Sequence, residues 1–207
     1  MSWGKLLSNE NYIVGEVANV NDNLIDIFIY PEKFNMVTKG SILLIDSGDV
    51  RPIGIVLKKA HEPSYSSFTP LRQTREKIDE SYPDLKNYHK FVSKIVYTST
   101  LRNNRIRHYR SIMPLLHDRV YVIREPDFLD LFFKPGGNWD FTFLEYYIIE
   151  GANHIDVREF FMNHSEYFTK RIGERELILN AIINALRNFD YTSLVITLRE
   201  IEKVISD

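Results

Sequence analysis

The sequence of 207 residues contains no cysteine. This absence excludes a disulfide framework, a thiolate zinc site, an iron–sulfur cluster and a thiol nucleophile, and it is typical of intracellular proteins. No apolar run approaches the roughly 20 residues that a membrane-spanning helix requires, and the first residues lack an apolar signal segment. We therefore expect a cytoplasmic protein without a membrane partner.

A phosphate-binding loop is missing as well. Such a loop ends in Gly-Lys-Ser or Gly-Lys-Thr, so that backbone N–H groups can surround the phosphates, and no such string occurs in the sequence. The adjacent glycines Gly136-Gly137 have no lysine after them and are typical of a helix break. Asp46, at the end of the strand-like segment 42–46, is then better interpreted as a turn residue than as a magnesium ligand. We predict that the protein neither binds nor hydrolyses ATP and carries no cofactor.

Other catalytic patterns are also missing from the sequence. The six histidines never occur in the His-x-x-x-His spacing that places two imidazoles on one helix face, and no serine lies in a Gly-x-Ser-x-Gly turn. We therefore predict no resident metal and no enzymatic activity. One catalytic alternative stays open, a metal-dependent nuclease whose acidic residues would converge only in the folded chain. These residues are Glu10, Glu16, Asp46, Asp49 and Asp118.

Apolar residues make up 44% of the sequence and aromatic residues 13%, which is enough for a substantial core. The charges are unevenly distributed. Residues 1–125 carry 18 Lys and Arg against 14 Asp and Glu, whereas residues 126–207 carry 8 against 14. We predict two domains, 1–125 and 126–207. Abundant Ile, Tyr, Asn, Lys and Glu without cysteine is typical of thermophilic archaeal proteins.

The first segment, 1–125, has the period of β-strands. Short stretches rich in β-branched residues are separated by turn residues, and apolar side chains alternate with others. The pattern predicts an antiparallel β-barrel, with one inserted helix at 71–80 after Thr69-Pro70 and a long connection at 101–118. The six predicted strands lie at 12–20, 24–30, 41–46, 51–59, 91–99 and 119–124.

The second segment, 126–207, changes to the helical period, with apolar residues at i, i+3, i+4 and i+7. His164 lies on one apolar stripe, where we expect a hydrogen-bonded core residue. Asp156 is the predicted cap of that helix. The predicted fold class is α+β, an antiparallel β-barrel with a helical insertion followed by an α-helical segment. The predicted helices lie at 128–133, 141–149, 156–172, 179–186 and 194–205.

Several glycines and strand residues of the first segment occur in a recognisable order. They are Gly15 in the first strand, Lys39-Gly40 before the third, Ile53-Gly54-Ile55-Val56 in the fourth, an insertion ending at Tyr82 to Phe91, and Met113-Pro114 before the last. Over roughly 110 residues this order resembles the HAS-barrel, the N-terminal domain of HerA-type helicases and of the rotary ATP synthase subunits. The chain departs from the family at Leu116-His117-Asp118, where Pro-Gly often precedes the last strand.

The resemblance implies that the protein works by contact, because HAS-barrels of the HerA family mediate contacts around the helicase ring and the sequence has no phosphate loop. It implies an accessory module in DNA repair. The expected partners are a HerA-type helicase, its NurA-type nuclease partner, or a second copy of the chain as a homo-oligomer.

The aromatic segment 128–149 is a candidate surface for such a contact, because it contains eight aromatic rings in little more than 20 residues. We expect most of these rings to form the seam between the barrel and the helices. Phe133, Trp139 and Phe143 are the candidate interface residues. Trp139 is the strongest of them because it follows the helix break at Gly136-Gly137, in a predicted loop.

An alternative function is the binding of DNA or RNA by the segment 102–110, with the sequence RNNRIRHYR. Guanidinium groups match phosphate oxygens and a tyrosine ring can stack on a base. The arginines could instead be solvated or could contact an acidic protein surface. The candidate nucleic-acid-binding residues are Arg102, Arg105, Arg107, Tyr109 and Arg110.

Overall fold

Seven strands form one antiparallel sheet in the computed structural model of the chain, which describes residues 3–63, 89–189 and 191–206. The strands are β1 (Ile13–Asn21), β2 (Leu24–Ile29), β3 (Ile42–Ile45), β4 (Val50–Pro63), β5 (His89–Arg102), β6 (Arg105–Arg107) and β7 (Arg119–Ile123). The order β2-β1-β7-β3-β4-β5 closes because β5 also pairs with β2. The predicted antiparallel barrel is confirmed as a closed, six-stranded one. The predicted helix at 71–80 lies outside the described residues.

Strand β6 was not predicted and lies within the expected connection 101–118. It pairs with the end of β5 in a hairpin, outside the closed ring. The two turn residues, Asn103 and Asn104, have φ angles of 50° and 61°. Positive φ at both central positions is the geometry of a type I′ turn, which asparagine tolerates better than most residues. The Asn-Asn pair was therefore the signal for this hairpin.

Successive side chains of each strand point alternately into the barrel lumen and outward, and the barrel has apolar residues on both sides. The lumen is filled by aliphatic side chains from all six strands, among them Val14, Ile27, Leu43, Val56, Ile95 and Val122. The opposite faces of β3, β4 and β7 contribute a second cluster, which is shared with the helices and includes Ile42, Leu44, Ile53, Ile55, Tyr121 and Ile123. Strand β3 is consequently buried on both faces.

Two glycines of the first segment are required by close strand packing. A Cβ atom at Gly15 would lie 1.9 Å from the carbonyl oxygen of Phe28 on the neighbouring strand. At Gly54 it would lie 2.9 Å from the carbonyl oxygen of Val96 on the neighbouring strand, and 2.7 Å from Cδ1 of Ile95. Any side chain at either position would therefore push two paired strands apart.

Seven α-helices occur in the described residues. They are α1 (Trp3–Leu7), α2 (Pro126–Phe133), α3 (Phe143–Ile149), α4 (His154–Asn163), α5 (Ser165–Thr169), α6 (Arg175–Leu186) and α7 (Tyr191–Ser206). The predicted helical character of the second segment is thus confirmed. Helix α1 was not predicted, and its Trp3 is buried with the ring centroid 4.8 Å from that of Phe128. Within the described ranges every helix is too short or too polar to cross a bilayer.

The predicted helix 156–172 is interrupted at His164, so that it forms α4 and α5. Asn153, and not Asp156, caps α4. The Asn153 side chain accepts hydrogen bonds from the N–H groups of Ile155 and Asp156, and the Asp156 carboxylate accepts one from the Asn153 N–H at 2.8 Å. Asp156 is therefore the third helical residue of a capping box, and the helix begins earlier than predicted.

Aromatic rings form the seam between the barrel and the helices, as predicted for most of the segment 128–149. Phe128, Phe132, Phe133, Phe141, Phe143 and Tyr147 are all buried. Their centroids lie within aromatic contact distance, for example 4.8 Å between Phe132 and Phe143. The Tyr147 hydroxyl donates to the Val56 carbonyl of the barrel at 3.1 Å. Residues 1–125 and 126–207 are thus joined through a common apolar core.

Candidate binding surfaces

The β5–β6 hairpin presents three arginines to solvent. Ile106 is buried in the core, whereas its neighbours Arg105 and Arg107 are exposed, and Arg102 is exposed directly opposite Arg105. None of the three forms an ion pair with a carboxylate among the described residues. Like charges directly across a strand pair are destabilising, by roughly 0.2–1 kcal/mol. The unpaired cluster would therefore be stabilised by an external anion.

Arg110 has a different environment from the other three arginines. Its Nε donates to the carbonyl oxygen of Tyr97 at 2.6 Å, its Nη1 lies 2.9 Å from the Glu150 carboxylate, and its guanidinium stacks on the Tyr146 ring. Glu150 also accepts from the Asn23 side chain at 2.8 Å. Arg110 therefore joins the barrel to the end of α3. Of the predicted nucleic-acid-binding residues, Arg102, Arg105 and Arg107 are exposed and Tyr109 is partly exposed. Arg110, in contrast, is held by contacts within the chain.

His108, in the same segment, is buried and contacts residues of both the barrel and the helices. Its Nδ1 lies 2.8 Å from Oγ of Ser99, and its ring packs edge-on against Phe132 and Phe143, both at 5.1 Å. Burial lowers the pKa of His108 to about 4, although the Asp140 carboxylate acts in the opposite direction. Ser99 is completely buried. This serine and histidine therefore stabilise the fold and are not placed to attack a substrate.

A second surface is the loop 109–118, here called the barrel-end loop, which crosses one end of the barrel. The Tyr97 hydroxyl, which projects from the lumen cluster, accepts hydrogen bonds from the N–H groups of Ser111 and Ile112. At the other end, the His117 N–H donates to the Val17 carbonyl at 2.9 Å. The Asp118 carboxylate accepts from the Leu115 N–H at 2.8 Å. These bonds fix the backbone of the loop at both ends.

The side chains of the barrel-end loop are mostly apolar and exposed. The exposed fractions are 37% for Ile112, 44% for Met113, 71% for Leu115 and 59% for Leu116, whereas Pro114 is buried. Four exposed large apolar side chains within five residues are unusual on a free surface and typical of contact sites. In the sequence, Met113-Pro114 belongs to the pattern that resembles the HAS-barrel. The apolar residues at 112–116, within the predicted connection 101–118, are the sequence signal of this exposed surface.

The predicted aromatic interface residues have unequal exposure. Phe133 and Phe143 are completely buried within the chain, so neither ring reaches the surface. Trp139 is half-buried, stacked on Phe141, and its Nε1 donates to Glu174 at 2.8 Å. The Lys134 ammonium lies 4.2 Å above the Trp139 ring. Of the three residues, only Trp139 contributes to the surface.

Three of the five acidic residues of the nuclease alternative are engaged in separate contacts. Asp46 pairs with Arg51 at 2.7 Å, Asp118 accepts from Ser47 at 2.5 Å, and Glu16 lies 3.4 Å from His117. Among the residues that the structure describes, no three His, Asp or Glu side chains are grouped as metal ligands. The described part of the chain therefore brings no metal-dependent nuclease site together from these acids.

Comparison with known proteins gives no family to which the chain can be assigned. No protein-family model matches the sequence, and no curated protein matches it. Its function must therefore be inferred from the barrel, the barrel-end loop and the arginine hairpin themselves.

Proposed function

We propose that the protein is a non-catalytic interaction module of the HAS-barrel type, which docks onto a partner protein through the barrel-end loop. The observation that carries this proposal is the exposure of Ile112, Met113, Leu115 and Leu116 on a loop whose backbone is held by hydrogen bonds. The loop is already ordered, so little conformational entropy is lost when a partner covers it.

The two leucines are the expected centre of the contact. Covering an exposed leucine side chain contributes on the order of 1–2 kcal/mol, since full burial is worth about 1.5–3 kcal/mol. Leu115 and Leu116 together would supply about 3 kcal/mol, which corresponds to roughly a hundredfold in affinity. Two such residues in one loop would therefore supply a substantial part of the affinity of a contact.

The partners that we propose come from the HAS-barrel resemblance. A closed antiparallel barrel with close-packing glycines at positions 15 and 54 supports it. HAS-barrels of HerA-type helicases act in contacts around the ring, so a HerA-type helicase, a NurA-type nuclease and a second copy of this chain are the candidates. In each case the protein would be an accessory component of DNA repair.

The test is a binding assay with purified HerA-type and NurA-type proteins from the same organism. Light scattering of the protein alone would show whether it forms a homo-oligomer. Leu115→Asp with Leu116→Asp should abolish the contact. A matched control is Ile155→Asp with Met162→Asp, because both side chains are 52% exposed on helix α4. Equal binding by the two double variants would contradict the role of the loop. A monomeric protein that binds neither partner would contradict the proposal as a whole.

The arginine hairpin supports a second candidate function, the binding of nucleic acid. Arg102, Arg105 and Arg107 are exposed on one hairpin without acidic partners among the described residues, and Tyr109 follows them. Phosphate contacts release counterions, so each lost arginine should flatten the salt dependence of binding by roughly one charge.

Charge reversal at the hairpin tests this second function. Arg105→Glu with Arg107→Glu should weaken binding to single-stranded and duplex DNA and reduce its salt dependence. Arg187→Glu with Arg199→Glu makes the same change in net charge at exposed positions on the second segment. If both double variants bind DNA as the wild type does, the hairpin does not contact phosphates.

A further inference from the structure

A cleft of about 440 Å³ lies where the barrel meets the helices, away from the barrel-end loop and the arginine hairpin. One wall is the loop 38–41, the second is the junction of β7 with α2, and the third is α5 with the turn before it. Its volume falls within the range of pockets that hold small molecules.

The walls of the cleft are fixed by hydrogen bonds. The Asn163 amide donates to Oγ1 of Thr38 at 2.7 Å and to the Lys39 carbonyl at 2.8 Å. His164 is buried and its Nε2 lies 3.2 Å from the Gly40 carbonyl oxygen. Gly40 itself has a φ of 83°, and a Cβ atom there would lie 2.6 Å from Cα of Phe160. The cleft is thus preformed.

Four charged groups of the cleft have a hydrogen-bond or ion-pair partner within the chain, although the Glu125 carboxylate has no cationic partner among the described residues. Glu125 accepts a hydrogen bond from the Tyr12 hydroxyl at 2.6 Å, and Glu166 pairs with Lys170 at 2.6 Å. Arg171 pairs with Asp130 at 2.8 Å. Each of these groups has a partner within the chain.

Arg124 is the exception among the cations that line the cleft, because Lys170 and Arg171 both form ion pairs. Its Nη2 donates to the Met36 carbonyl, and no carboxylate of the described residues pairs with its guanidinium. Arg124 is an exposed residue, and the partial burial of its guanidinium lowers its pKa. The positive charge of Arg124 also helps to lower the pKa of His164, after burial, which has the largest effect. The charge is therefore close to the wall of the cleft and is not compensated there.

We infer that the cleft binds a small organic acid, whose carboxylate pairs with Arg124 and whose apolar body lies against Ile123, Leu129 and Tyr167. A planar guanidinium matches a carboxylate through two parallel hydrogen bonds. A singly charged carboxylate suits the site better than a phosphate dianion, because Arg124 is the one unpaired cation among the described cleft residues and the unpaired Glu125 carboxylate would repel a second negative charge.

The probe for this inference is 3-phenylpropionate, titrated calorimetrically into the whole chain, with 3-phenylpropanamide as its neutral analogue and inorganic phosphate as a competing anion. Saturable binding of the acid is expected, with weaker binding of the amide and of phosphate. Arg124→Ala should weaken binding of the acid by about tenfold or more, because a charge-assisted pair is lost. Arg119→Ala removes an exposed arginine at the start of β7, the strand that ends just before Arg124, and should have no effect.

Arg124→Lys keeps the positive charge but loses the planar pair of donors, so it should bind the acid more weakly than the wild type. This variant decides the question if Arg124→Ala does not fold. A bound carboxylate should also raise the pKa of His164, because it neutralises the nearby guanidinium, and a proton NMR titration would measure this change. Absence of saturable binding, equal binding of the amide, tighter binding of phosphate, or wild-type affinity in Arg124→Lys would each overturn the inference.

Discussion

Acidification should destabilise the protein through two buried histidines, His108 and His164. Burial is the main reason that the pKa of each lies at about 4 in the folded chain, compared with a usual value of 6.5. The Arg124 charge further lowers the pKa of His164, whereas the hydrogen bond to the Gly40 carbonyl raises it. Both imidazoles are therefore neutral in the folded protein at pH 7 and have little access to water.

The size of the effect follows from proton linkage. Between pH 6.5 and pH 4 the unfolded chain binds more protons than the folded chain, so the free energy of unfolding falls as the pH falls through this range. At pH 5 each histidine should cost about 2 kcal/mol relative to pH 7.5, and the two together about 4 kcal/mol. This is a large share of the 5–15 kcal/mol that stabilises a typical domain.

The assay is urea unfolding followed by circular dichroism at pH 7.5 and pH 5, for the wild type and for His164→Gln. Glutamine can still donate to the Gly40 carbonyl but does not titrate, so the variant should lose about 2 kcal/mol less than the wild type over this range. His117→Gln is the control, because the His117 side chain is 77% exposed. If His164→Gln and the wild type have the same pH dependence, the neutral state assigned to His164 is wrong.

Two further predictions concern the packing of the barrel. Gly15→Ala should lower the free energy of unfolding by about 1–3 kcal/mol, because the added methyl group meets the Phe28 carbonyl, whereas Gly173→Ala, with open space around the added Cβ, should change it little in the same urea assay. Arg110→Ala should destabilise the protein by about 1–3 kcal/mol, since it removes the link to Glu150, and Lys170→Ala, which breaks an exposed pair, should cost less than about 1 kcal/mol.

The sequence predicted the barrel because its strand signals are local. Apolar and other side chains alternate in residues 24–30, and turn residues precede this segment, which is sufficient to predict β2. In the structure Ile25, Ile27 and Ile29 lie together in the lumen, because every second side chain of a strand points to the same face. The closure of the barrel could not be predicted in the same way. It depends on pairing between Ile25 and Ile95, which are far apart in sequence, and no local pattern encodes this pairing.

The candidate residues were predicted less well than the fold, because exposure depends on tertiary packing. Four arginines in 102–110 look alike in sequence, yet Arg110 is held by Glu150, from a helix that follows much later in the chain. Likewise, Phe133 and Phe143 are buried on helices, whereas Trp139 lies in the loop between them and is half-buried. Composition predicted the kinds of side chain involved, and packing decided which of them could reach a partner.

The two segments of the chain divide the barrel surface between them. The aromatic helices cover the outer faces of β3, β4 and β7, so the part of the chain richest in aromatic rings is used for internal packing. The barrel-end loop is not covered in this way, and its leucines are among the most exposed apolar side chains of the described residues. A partner that binds the barrel-end loop would not need to displace any helix, because the helices pack on the side of the barrel. For this reason we propose that a partner protein binds at the end of the barrel rather than on its aromatic side.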